Sequence, residues 1–270
     1  MHRGHYVLVR GKTADGDYLI IDPGHRNNTN LTHAYGNSFR LRGYVIDPPG
    51  DLSGLNLGVG GNAELILIDP SGRQTGFAPA TGTFLNGIPQ SAHATDQIDA
   101  DGDGQGTTEA FHSIQVRQPA QGTYKVVVSG TKSGSYTLRI NGFSQDGSAQ
   151  PGILMPGIVG VDSTSSFQIQ FVPSPGSTPQ VIRVATFQST LDDINNSLQL
   201  GLIDNQGIAD SLSSKINAAA NAAARGQTQT SRNNLNAFKN EVNAQAGKHV
   251  MGIAVQVLLE DADSLIRRIH

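Results

Sequence analysis

Apolar residues recur with period two through roughly the first 170 residues and with a period of about 3.6 after that, so the chain is expected to change from strands to helices. Ala63-Glu64-Leu65-Ile66-Leu67-Ile68 predicts a strand closed by the turn Asp69-Pro70-Ser71-Gly72. The runs Phe111 to Val116, Tyr124 to Val128, Tyr136 to Ile140 and Ser166 to Val172 alternate in the same way, the last placing Phe167, Ile169 and Phe171 on one side. Thr131-Lys132-Ser133-Gly134 reads as a hairpin connection between two of them. Short strands with turn signals and no helical pattern predict an antiparallel β-sandwich over residues 47–172. Ahead of it, Gly4-His5-Tyr6-Val7-Leu8-Val9 and Tyr18-Leu19-Ile20-Ile21-Asp22-Pro23-Gly24 flank a hairpin turn, Thr13-Ala14-Asp15-Gly16-Asp17. Phe39 to Ile46 alternates like one further strand, and Asp47-Pro48-Pro49-Gly50-Asp51 breaks the chain, so residues 1–46 form a separate short antiparallel unit.

Pro173-Ser174-Pro175-Gly176-Ser177-Thr178-Pro179 predicts an extended linker over 173–180. Beyond it, apolar residues stand at 187, 191, 194 and 198, then at 208, 212, 216, 219 and 223. They continue at 235, 238 and 242, and then at 254, 258, 262, 265 and 269. Spacings of three and four are those of amphipathic helices. Gly226 and Gly247 sit where helices two and three should end; Asp204 or Asn205 can cap the second helix and Thr228 or Thr230 the third. Residues 181–270 are thus expected to be an independently folding four-helix up-down bundle. Its core is expected to hold Leu191, Ile194, Leu198, Ile208, Leu212, Ile216, Leu235, Phe238, Val242, Ala254, Leu258 and Leu265.

Composition narrows the classes of function. Only 15% of the 270 residues are charged and the net charge is −3, without the basic stripe that nucleic-acid binding needs. No apolar run reaches the roughly 18 residues of a membrane span. No signal peptide is expected at Met1, because His2-Arg3-Gly4-His5 leads straight into a strand. Zero cysteine, low charge and 32 glycines resemble exported bacterial proteins, so the expected location is extracellular or at the cell surface if upstream sequence directs export.

Two groups of residues could carry chemistry. If the first two strands pair, His5 comes near Asp22, the arrangement in which an acid orients a histidine base; the nucleophilic cysteine such a pair would serve is absent. Asp99-Ala100-Asp101-Gly102-Asp103-Gly104-Gln105 matches the first seven positions of a calcium loop, with alternate side-chain oxygens, glycine at the sixth position and a backbone carbonyl at the seventh. Position twelve is Ala110, and no helix flanks the loop, so an EF-hand is disfavoured. The expected site is Ca2+ held by Asp99, Asp101, Asp103 and Gln105 inside a β-module, with Asp96 or Glu109 as further ligands. His93, His112 and His249 are expected not to cluster, and imidazoles are poor calcium ligands. The sequons Asn27-Asn28-Thr29 and Asn30-Leu31-Thr32 lie in an asparagine-rich loop where chance accounts for them.

Three resemblances follow. Gly4 to Val9, Asp17 to Gly24 and Tyr35-Gly36-Asn37 resemble papain-like cysteine peptidases of the bacteriocin-leader-processing type. That resemblance implies His5 as general base and Asp22 as its partner. In that family the cysteine comes earlier, and the four residues before His5 are expected to leave no room for its helix. Pro119 to Val126, followed by Gly134 to Leu138, resembles the jelly-roll or Ig-like modules appended to secreted bacterial peptidases. Gly201-Leu202-Ile203, Gly207 to Leu212, Leu235 to Phe238, Glu241 to Gln245 and Gly247-Lys248 resemble the FIMAH domain, which implies association with surfaces or polysaccharide. The expectation is a multidomain chain: a short antiparallel β remnant of a peptidase, an antiparallel β-sandwich and a helical bundle. Its leading function is non-catalytic binding or display at a surface or polysaccharide. The alternatives are a split cysteine peptidase that regains activity with its missing N-terminal half, and a self-associating structural protein whose first strands expose unpaired edges.

Overall fold

The computed structural model describes residues 7–22, 24–25, 27–36, 50–97 and 110–269, without the side chains of 96 and 97. The chain divides into two units, Met1–Pro48 and Pro49–His270. In the first, β1 (Leu8–Lys12) pairs antiparallel with β2 (Tyr18–Ile21) around the expected turn, where Gly16 N–H donates to the Thr13 carbonyl at 3.1 Å. A short helix, α1 (Leu31–Tyr35), follows, and Ile20 and Leu31 are the buried apolar side chains among the described residues of this unit. Asp17 ties the turn to α1 by accepting from the backbone N–H of Thr32 at 3.0 Å. The strand expected over 39–46 lies outside the described residues.

Among its described residues the second unit opens with eleven strands: β3 (Gly54–Gly60), β4 (Ala63–Ile68), β5 (Gln74–Ala78), β6 (Thr83–Asn86), β7 (Ser91–Gln97), β8 (Ala110–Arg117), β9 (Gly122–Gly130), β10 (Gly134–Phe143), β11 (Ile153–Val159), β12 (Thr164–Phe171) and β13 (Gln180–Arg183). They form a five-stranded sheet, β11-β10-β3-β8-β7, and a six-stranded sheet, β13-β12-β9-β4-β5-β6. The inward residues of β3, β8 and β10 (Leu57, Ile114, Leu138) share one core with those of β4, β9 and β12 (Leu65, Val126, Phe167), which makes a sandwich. Fully burying each such side chain contributes about 1.5–3 kcal/mol. Phe167, Ile169 and Phe171 all face this core, as the alternation predicts.

The connection Thr131 to Gly134 is not a hairpin. Strand β9 pairs with β4 and β12, whereas β10 pairs with β3 and β11 in the other sheet. The segment is an arch between sheets, held by the Asn62 carbonyl, which accepts from Thr131 N–H at 2.8 Å and Lys132 N–H at 3.3 Å. Alternation alone predicts two neighbouring strands; it does not say that they share a ladder.

Four helices complete the unit: α2 (Phe187–Gln199), α3 (Gln206–Ala224), α4 (Thr228–Gln245) and α5 (Gly252–Arg268). Ile194, Leu212, Ile216, Leu235, Phe238, Val242, Ala254, Leu258 and Leu265 are buried together, and Leu191, Leu198 and Ile208 pack partly buried against them. On α3 the last inward position is Ala222 rather than Ala223. Asn205 caps α3, accepting from Ile208 N–H at 3.2 Å. Neither Thr228 nor Thr230 caps α4, whose N-cap is Gln227 without a side-chain cap bond. Gly226 and Gly247 both adopt φ of +70° just past the helices they end, a conformation glycine adopts without strain. None of the helices among the described residues is long and apolar enough to cross a membrane.

The expected linker is shorter than its proline content suggests. Gln180 to Arg183 pair with β12, so the sandwich runs to Arg183 and the bundle begins at Phe187. Bundle and sandwich share a buried seam. Ile158 of β11 belongs to the bundle core. Arg183, 3% exposed, lies over the Phe167 ring, donates to the Pro156 carbonyl and to Glu260 (3.3 Å), and stands 3.7 Å from Asp261. Burial and the charge of Asp261 push the Asp193 carboxyl well above the usual carboxylate range, which favours its neutral form beside a single guanidinium.

Candidate functional site

His5, Asp99, Asp101, Asp103, Gln105 and Glu109 lie outside the described residues, as does the side chain of Asp96, whose backbone belongs to β7. Asp22 is described. It is buried and accepts from the backbone N–H groups of Gly24 and His25, each at 2.9 Å, from Asn28 Nδ2 at 3.1 Å and from the Tyr35 hydroxyl. Its carboxylate thus holds the loop after β2 to the end of α1.

Two histidines expected to stand apart do cluster. Strands β7 and β8 pair with Thr95 opposite His112 and His93 opposite Ile114, which sets the two histidines diagonally on one face. Ile114 and Val116 share that face and are buried, so both imidazoles turn toward the sandwich interior. Their rings lie 6.1 Å apart with 20° between planes, and Phe84 abuts His93 at 5.6 Å. Strand β4 of the opposite sheet brings Glu64. His112 Nδ1 is 3.0 Å from Glu64 Oε1 and 3.3 Å from Thr95 Oγ1; His93 Nε2 is 3.6 Å from Glu64 Oε2. One donor atom from each of the three residues lies within 4.8 Å of the others. The cluster therefore spans both sheets.

The cluster is electrostatically incomplete. Burial pushes the Glu64 carboxyl up to about 7. Burial holds both imidazoles below their usual value, and at His112 the neighbouring His93 adds to the effect. Among the described residues, Glu64 Oε2 and His93 Nε2 are buried without a hydrogen-bond partner, because 3.6 Å is too long for one. Three such residue types at this separation can ligate a metal ion or share protons. Hydrophobic periodicity is blind to this site: Ser91-Ala92-His93-Ala94-Thr95 carries no large apolar residue, so β7 gives no strand signal and its pairing with β8 cannot be anticipated.

The fold and this cluster define a β-sandwich joined to a helical bundle. The FIMAH domain family matches residues 187–267, which span α2 to α5. No curated protein matches the chain. A solved structure of Astrotactin-2, described as a conserved vertebrate-specific and perforin-like membrane protein involved in neuronal development, is similar over 82% of this chain and 35% of that one. It is 10% identical with a TM-score of 0.16, a likeness too slight to bear on fold or function.

Proposed function

We propose that the chain is a non-catalytic extracellular binding or display protein of bacterial type, whose helical bundle engages polysaccharide or a cell surface and carries the sandwich with it. The observation supporting this reading is the FIMAH match over 187–267, since resemblance to that domain implies such association. In this reading residues 1–46 are a peptidase-like remnant without a nucleophile: His5 and Asp22 are present and the chain has no cysteine. The sandwich is a jelly-roll or Ig-like module that takes up Ca2+ through Asp99, Asp101 and Asp103, with Gln105, Glu109 and Asp96 as further ligands, a reading that rests on their spacing.

The test is binding of the full chain to a glycan array and to purified bacterial cell walls, with Ca2+ and with a chelator, beside a peptidase assay. Expected is saturable binding to a polysaccharide or wall, a fall in melting temperature on chelation that Ca2+ reverses, and no peptide hydrolysis. Absence of binding to every surface sinks the binding reading. Hydrolysis abolished by His5→Ala makes the chain an enzyme, and a melting temperature indifferent to Ca2+ removes the calcium site.

A further inference from the structure

We propose that Glu64, His93 and His112 bind one divalent first-row transition-metal ion, zinc by the chemistry of the donors, and that this ion ties the two sheets of the sandwich together. Two imidazole nitrogens and one carboxylate are a donor set that suits zinc and its neighbours in the first row and does not suit calcium. Zinc lies about 2.0–2.2 Å from such ligands, which places tetrahedral ligand atoms roughly 3.4 Å apart. The separations of 3.6 Å (His93 Nε2 to Glu64 Oε2) and 3.0 Å (His112 Nδ1 to Glu64 Oε1) bracket that value.

Two further observations point to an ion. The first is that Glu64 Oε2 and His93 Nε2 face each other across a gap too wide for a hydrogen bond, while among the described residues both are buried without one. A polar atom left unsatisfied in a packed interior costs stability; a shared cation satisfies both. The second is preorganisation. The His93 ring is stacked on His112 and flanked by Phe84, and all three side chains come from paired strands rather than from a mobile loop. A dication also places positive charge beside the buried Glu64 carboxyl, as a charge taken out of water requires. Three protein ligands leave a fourth position for water or for an oxygen of a bound molecule.

The site is independent of the binding role proposed for the bundle, and its test reads metal alone. The full chain is stripped with a chelator and titrated with ZnCl2 by calorimetry in the presence of excess Ca2+, which occupies any oxygen-ligand loop. Co2+ replaces Zn2+ in a parallel absorption titration. Expected are one zinc per chain, a higher melting temperature on zinc addition, visible ligand-field bands for Co2+, and affinity at least about tenfold weaker in each of Glu64→Gln, His93→Gln and His112→Gln. Glu64→Gln keeps the shape of the side chain and removes the buried charge, so it tests ligation without a packing defect. No saturable zinc binding overturns the proposal. So does zinc binding that Glu64→Gln leaves unchanged, which places the ion on other histidines of the chain.

Discussion

Glu64 decides more than its single charge suggests. Its carboxyl titrates near pH 7 in the folded protein, against 4.5 in an unfolded chain, so the folded state holds this proton more tightly. Stability from that difference is fully present below about pH 4.5, is lost as pH rises through about 7, and is constant above. The lowered values of His93 and His112 act in the opposite sense, costing stability as pH falls; their causes, burial and the neighbouring imidazole, do not include Glu64 and so are common to Glu64→Gln and the parent. In chelator, the melting temperature of Glu64→Gln should therefore gain on that of the parent between pH 4.5 and 7 and keep a constant lead above. A lead that does not change with pH means that Glu64 titrates normally. None of this is legible in the residue order. Glu64 reads there as one polar position in a strand, and its partners arrive through pairing of strands that the order does not announce.

At the scale of elements, legibility follows how much apolar pattern each segment carries. The helices are plain in the sequence because Phe238, Val242, Leu258 and Leu265 recur at helical spacing, and all are buried where that spacing puts them. Phe238 is 0% exposed, and Phe238→Ala should cost on the order of 3–5 kcal/mol, read as a shifted urea midpoint with an unchanged slope. A loss below about 1 kcal/mol would place the bundle's core elsewhere. Strands β4, β8, β9, β10 and β12 are equally plain. β3 carries the same alternation in Leu55, Leu57 and Val59, but Gly54, Gly58 and Gly60 weaken its strand propensity; a Cβ on Gly58 would stand 2.3 Å from the Phe111 ring, so packing favours glycine there. Sheet membership was hidden as well. The arch at Thr131 to Gly134 depends on the Asn62 carbonyl, some seventy positions away, and local turn chemistry does not report such a partner.

For the molecule as a whole, residues 49–270 form one unit in which a buried polar seam does what a linker was expected to do. Arg183 is the cation of that seam, and Arg183→Met leaves Asp261, 1% exposed, without it. Removing one partner of a buried pair costs about 3–5 kcal/mol, which is the loss expected near pH 7. The orphaned acids then bind protons more tightly folded than unfolded, so the variant should recover part of that loss as pH falls toward 5. Urea unfolding at the two pH values checks both statements; equal losses would show that Arg183 acts by packing alone. Between β13 and α2 stand only Val184, Ala185 and Thr186. Val184 N–H donates to the Ser166 carbonyl, Ala185 N–H donates to Ser264, and the Ala185 carbonyl accepts from Arg268. That stretch has no slack to act as a swivel. Wherever the bundle is moored, the sandwich is held at one standoff and one heading, and a tug on either is passed to the other through hydrogen-bonded backbone instead of being absorbed by a loose tether.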